Sequence, residues 1–213
     1  MRFFLLLVLI GMCFSCKPDS EGSQGQTSGG SQITEQPAGF YVMPFRGKPE
    51  ASIDYQGEFK KGLRWMDQLG ENTVFISAKE TKTSVEFWVE HFLKNKEGNW
   101  ERHYQFAEKM TNCEDVWTLE PIEEALTVSD LNKDGIGEFT FLYKKACVKE
   151  ATPIATYLYL VEDQTEYQTT GSTQLRSQNG EKQGGDFEVS VTLTEHSPAQ
   201  AQYVELLWKR FVR

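Results

Sequence analysis

Residues 99–110 read NWERHYQFAEKM. Trp100, Tyr104, Phe106 and Met110 fall at even spacing, so an extended backbone puts all four on one face. The stretch reads as a half-buried strand. FEVSVTLTE (187–195) repeats the pattern: Phe187, Val189, Val191 and Leu193 point one way, and Glu188, Ser190, Thr192 and Thr194 the other. EFWVEHFL (86–93) and EFTFLY (138–143) are apolar on both faces and read as more central strands. KNKEGN (94–99) joins two strands as a hairpin loop, and SQNGEKQGGD (177–186), with Asn179-Gly180, is a turn or loop. About eight to ten strands follow, without a strand–helix–strand rhythm. The expected fold is mostly β and antiparallel: a sandwich, a strongly bent sheet or an open barrel.

A C-terminal helix completes it. In SPAQAQYVELLWKRFVR, Ser197 is the N-cap, Pro198 takes the first helical position and Gln200 closes a capping box. Val204, Leu207, Trp208 and Phe211 form an apolar stripe that makes the helix a lid on the sheet. Lys209, Arg210 and Arg213 complement the negative end of its dipole.

The chain opens MRFFLLLVLIGMCFSCKPDSEGSQ. Arg2 precedes an apolar run, Phe3 to Phe14, too short to span a bilayer, which marks residues 1–15 as a signal peptide. Ser15 before Cys16 resembles the cleavage and lipidation site of bacterial lipoproteins, with Cys16 as the lipidated residue. Cys13 stands where the stricter pattern has an aliphatic residue. Residues 16–38 are rich in Gly, Ser and Gln and read as a flexible tether, and 39–213 as a single domain. Lys17, Asp19 and Glu21 resemble the charged signal that sends some Bacteroidota lipoproteins to the outer face of the outer membrane. The expected location is the cell envelope, with the lipid as membrane attachment. The formal charge is −9, and loss of Arg2 with the signal takes it to −10. That balance disfavours nucleic acid as a partner and suits a divalent cation or a neutral one.

With Cys16 lipidated and Cys13 removed, Cys113 and Cys147 remain. In an oxidising envelope they read as a disulfide.

Residues 130–138, DLNKDGIGE, carry oxygen-bearing side chains at Asp130, Asn132 and Asp134. Gly135 permits a sharp turn, the Ile136 carbonyl adds an oxygen, and Glu138 stands ninth. Such alternation brings hard oxygen donors to one point, the chemistry calcium wants. The twelfth position is Phe141 and a strand follows, so this is not an EF-hand. Two readings stay open: a Ca2+ loop, and a metal-free acidic turn held by Asx hydrogen bonds.

Catalytic patterns are sparse. His91, His103 and His196 are widely separated, and the chain lacks a GxSxG, a P-loop and a dinucleotide fingerprint. Glu123 and Glu124 are adjacent and belong to a solvated loop. Aromatic side chains at strand spacing serve either a core or a sugar-binding face.

The lipoprotein start, the segment SDLNKDGIGEFTFLYKKAC and the ending EHSPAQAQYVELLWKRF together resemble a family of Bacteroidota lipoproteins called surface polysaccharide biosynthesis proteins. The resemblance runs from about Trp65 to the C-terminus. It implies a secreted, mostly β, single-domain lipoprotein linked to surface glycan, and it brings no catalytic residues. The expected function is therefore a non-catalytic, calcium-stabilised envelope lipoprotein that assists or binds surface polysaccharide. The alternatives are a glycan-active enzyme and an interaction module for other envelope proteins.

Overall fold

The computed structural model describes residues 40–45, 47–148 and 152–212. The signal peptide, Cys16 and the tether to residue 38 lie outside the described residues.

The body is mostly β, with two open antiparallel sheets and a short C-terminal helix. The first sheet is a meander in chain order: β1 (Val42–Pro44), β2 (Glu58–Asp67), β3 (Gly70–Glu80), β4 (Ser84–Lys94) and β5 (Trp100–Thr111). The second contains β6 (Val116–Pro121), β7 (Thr127–Ser129), β8 (Glu138–Val148), β9 (Ala155–Glu162), β10 (Thr165–Ser172) and β13 (Phe187–Glu188). One edge of β8 is shared: β6 pairs with its second half and β7 with its start. Its other edge pairs with β9. The 177–186 stretch turns between two short strands, β11 (Gln174–Arg176) and β12 (Lys182–Gly184), which make a small hairpin.

Three apolar layers follow from strand alternation. Between the sheets lie Trp65, Val74, Ile76, Phe87 and Val89 from one side and Phe139, Phe141, Tyr143 and Val161 from the other. Each such side chain contributes about 1.5–3 kcal/mol on full burial. On the far face of the second sheet, Leu142, Leu158 and Leu160 meet Leu193, Val204, Leu207 and Trp208 of two helices, α1 (Val191–His196) and α2 (Pro198–Phe211). Across the outer face of the first sheet, Ile53 and Tyr55 pack with Phe75 and Phe92. Both EFWVEHFL and EFTFLY are thus covered on two faces.

Two local expectations change. FEVSVTLTE is a strand only at Phe187–Glu188; from Val191 it is helical. Ser190 caps that helix by accepting the Leu193 amide, and the fully buried Leu193 packs with α2. A β-branched alternation cannot outweigh a cap that satisfies the helix start together with such burial. Trp100 also leaves the face of Tyr104 and Phe106. A bulge lies here, with His91 opposite Tyr104 but Phe92 opposite Arg102, so the extra residue reverses the alternation before it. Trp100 joins the outer cluster instead.

Cys113 and Cys147 are disulfide-bonded, with Cα atoms 5.7 Å apart. The bond ties the segment after β5 to the end of β8.

Candidate functional site

The acidic loop is the turn between β7 and β8, closed where Ser129 pairs with Glu138. Side-chain oxygens shape it from within. Asp134 donates its amide to Asn132 Oδ1 (3.1 Å), and Ile136 donates its amide to Asp134 Oδ1 (2.8 Å). The Leu131 amide donates to both Glu138 carboxylate oxygens (3.3 and 3.1 Å). Lys133 and Gly135 take positive φ, which the second bears without cost.

The turn between β2 and β3 grips the loop from the first sheet. Gln68 donates its amide to the Gly135 carbonyl and its Nε2 to the Asp134 carbonyl, both at 2.9 Å. Gly137 donates its amide to Asp67 Oδ2 (2.9 Å). A Cβ at Gly137 would lie 2.3 Å from Trp65 Nε1, so only glycine fits there.

The strand register sets a second carboxylate against the loop. Glu138 of β8 lies directly opposite Glu162 of β9, on the face covered by the helices. Like charges so placed repel. Gln200 of α2 stands between them: its Nε2 donates to Glu138 Oε1 (2.6 Å) and to Glu162 Oε1 (3.2 Å). Asn132 Nδ2 donates to the same Glu162 oxygen and, at 3.0 Å, to Asp134 Oδ2. His196 Nε2 meets Glu162 Oε2 at 3.0 Å, and its ring stacks on Tyr167.

Burial pushes the Glu138 carboxyl up to about 7; its bonds from Gln200 and Leu131 pull the other way, and the Glu162 charge raises it further. Gln200 is fully buried and Asp130 is 7% exposed, yet among the described residues Gln200 Oε1 and Asp130 Oδ1 have no hydrogen-bond partner. Among the described residues, no three His, Cys, Asp or Glu side chains stand gathered as a metal centre.

Of the five residues marked from the sequence, Asn132, Asp134 and Glu138 thus meet in one network, Asp130 is buried beside it in the chain, and Ile136 enters through its amide. Glu162, Gln200 and His196 escaped sequence reading. Gln200 was expected to close the α2 capping box. Its backbone amide does bond Ser197 Oγ, but its side chain turns to the carboxylates, and the Ser197 amide bonds the Leu193 carbonyl. Glu162 needed the β8–β9 register, which no local pattern encodes.

No protein-family model, no curated protein and no solved structure matches the chain.

Proposed function

We propose that the protein is a lipid-anchored, non-catalytic module of the bacterial cell envelope that assists or binds surface polysaccharide and whose acidic loop holds calcium. The observation that carries the calcium reading is Asp130 Oδ1: a buried carboxylate oxygen without a donor, in a loop that presents further oxygens at Asn132, Asp134 and Glu138. A buried oxygen left without a donor is costly, and a cation would give it a partner. The disulfide supports an oxidising compartment. The link to polysaccharide comes from the resemblance in sequence.

A glycan-active enzyme is the weaker reading. Its best carboxylate pair is Glu138 and Glu162, one raised in pKa beside the other. Yet Glu138 is fully buried and Glu162 nearly so, and one Gln200 nitrogen bridges them. A glycosidic bond does not fit between such groups. Trp100 is also a poor platform for a sugar, since Arg64 and Lys94 lie over its ring and its Nε1 donates to Glu50.

The test is a glycan array probed with the full-length chain in detergent, with calcium and with chelator. Calcium-dependent retention of acidic or neutral surface glycans supports the reading. Release of sugar from any glycan would turn it toward the enzyme.

A further inference from the structure

We propose that the cavity between the β11–β12 hairpin and α2 binds an acidic sugar, with its carboxylate between Arg176 and Lys209 and its ring against Phe187. The proposal rests on the polysaccharide reading and adds to it a place on the chain and a class of sugar.

Glycines shape the cavity. Gly184 and Gly185 take positive φ (68° and 90°), and a Cβ at Gly184 would lie 2.5 Å from the Thr173 carbonyl, so the hairpin closes there only with glycine. Gly171 of β10 makes room for the Trp208 indole, whose Cζ2 would lie 2.6 Å from a Cβ at that position. The indole is thereby seated on the sheet, and the Phe187 ring stacks on it with centroids 5.2 Å apart. Between hairpin and helix an open space of about 480 Å³ remains, within the range of roughly 300–1,000 Å³ that ligand pockets take.

The lining has two characters. Phe187, Trp208 and Val212 make an apolar side, and Gln174, Arg176 and Lys209 a polar one. The whole chain carries 31 acidic and 22 basic side chains. The described lining reverses that balance, with two bases and no acid. Glu188, next to Phe187 on β13, points to the opposite face. Arg176 is exposed, and no carboxylate among the described residues bonds it. Lys209 bonds Glu205 at 3.1 Å, but both are exposed, and such a surface pair is weak. The C-terminal end of α2 carries partial negative charge, and Lys209 and Arg210 in its last turn offset it. A guanidinium offers a carboxylate two parallel N–H donors. The Gln174 amide suits sugar hydroxyls, and the C–H face of a sugar ring suits the aromatic side. A neutral sugar would leave both cations without a role, and a bare anion would leave the apolar side unused. A sugar acid uses both.

The experiment is calorimetric titration of tetragalacturonate into the full-length chain in detergent, with chelator present so that calcium cannot bridge carboxylates. Its neutral methyl ester and sodium acetate are titrated beside it. The acid should bind at millimolar concentration or below, and the ester and acetate each at least about tenfold more weakly. Arg176→Gln and Lys209→Gln alter exposed side chains, so the fold should stand, and each should weaken the acid at least about fivefold. Lys79→Gln, exposed on β3 of the other sheet, should leave binding unchanged. The proposal is overturned if the acid does not bind at millimolar concentration, if ester or acetate binds as well as the acid, or if both cavity variants bind like wild type. In each of those cases, glycans retained on the array would keep the polysaccharide reading and move its site elsewhere. An array that retains nothing would end that reading too.

Discussion

Asp67 accepts the amide of Gly137 at 2.9 Å, so a turn in one sheet holds the loop that enters the other. The same carboxylate also accepts Trp65 Nε1, Asn72 Nδ2 and the amides of Leu69 and Gly70. Replacing Asp67 with Ala orphans several donors together, and each buried orphan costs about 1–3 kcal/mol. We expect Asp67→Ala to lower stability by roughly 3 kcal/mol, read from the urea midpoint. A loss under about 0.5 kcal/mol would show that water replaces the carboxylate.

Calcium should raise the thermal midpoint of the wild-type chain. At ten times its dissociation constant it stabilises the native state by about 1.4 kcal/mol. Asp130→Ala combined with Asp134→Ala should abolish the rise. A midpoint equal in calcium and chelator would leave an acidic turn and nothing more.

The disulfide spans 34 residues of chain. On the chain-entropy model a link of this span stabilises by roughly 3–4 kcal/mol. Cys113→Ser with Cys147→Ser should lose about that amount in denaturant. Alkylation of the denatured, unreduced wild type should find neither thiol free.

His91 sets a pH dependence. It is buried between the sheets, stacked on Trp65, with Nε2 at 2.9 Å from Asn72 Oδ1. Burial first, and then the neighbouring His103, lowers its pKa from 6.5 to about 3. The unfolded chain therefore binds the extra proton between those values. The contribution of His91 is fully present above pH 6.5 and is lost on acidification toward 3, with a slope approaching about 1.4 kcal/mol per pH unit from this group, while the raised Glu138 carboxyl acts in the opposite sense between 4.5 and about 7. Relative to wild type, His91→Gln should therefore lose less stability on acidification, by a margin that grows from pH 6.5 down to 4. Parallel slopes for the two proteins would mean that another group governs acid sensitivity.

The proposed lipid anchor depends on the Cys16 sulfur. Cys16→Ser should release the chain from membranes, while Cys13→Ser should leave it lipidated. Metabolic labelling with a fatty-acid probe reads both, and label retained by the Cys16 variant would place the cleavage site elsewhere.

Much of the fold was legible because burial writes itself into strand alternation. Phe139, Phe141 and Tyr143 share the inter-sheet face, as their spacing implies. The misreadings each trace to a competing local force. Ser190 offered a cap that turned an alternating run into a helix. One extra residue near His103 moved Trp100 across the sheet. The loop was visible as a run of oxygens, but its partners were not. Glu162 comes 24 residues after Glu138, and Gln200 a further 38. Only strand register and helix docking bring them together.

The meander of the first sheet also bears on how the chain reaches this state. Every strand from β1 to β5 pairs with its neighbour in sequence, and the closures from β2 to β5 span loops of two, three and five residues, which are entropically cheap. The second sheet is only partly local: β8, β9 and β10 pair in chain order, but β8 must arrive before β6 and β7 have a mutual partner, and β13 must pass a hairpin to reach β10. The N-terminal half is thus the natural early template, and the C-terminal helix the last piece to dock. In refolding followed by pulse labelling, amides of β3 and β4 should gain protection before those of β8, and α2 after both.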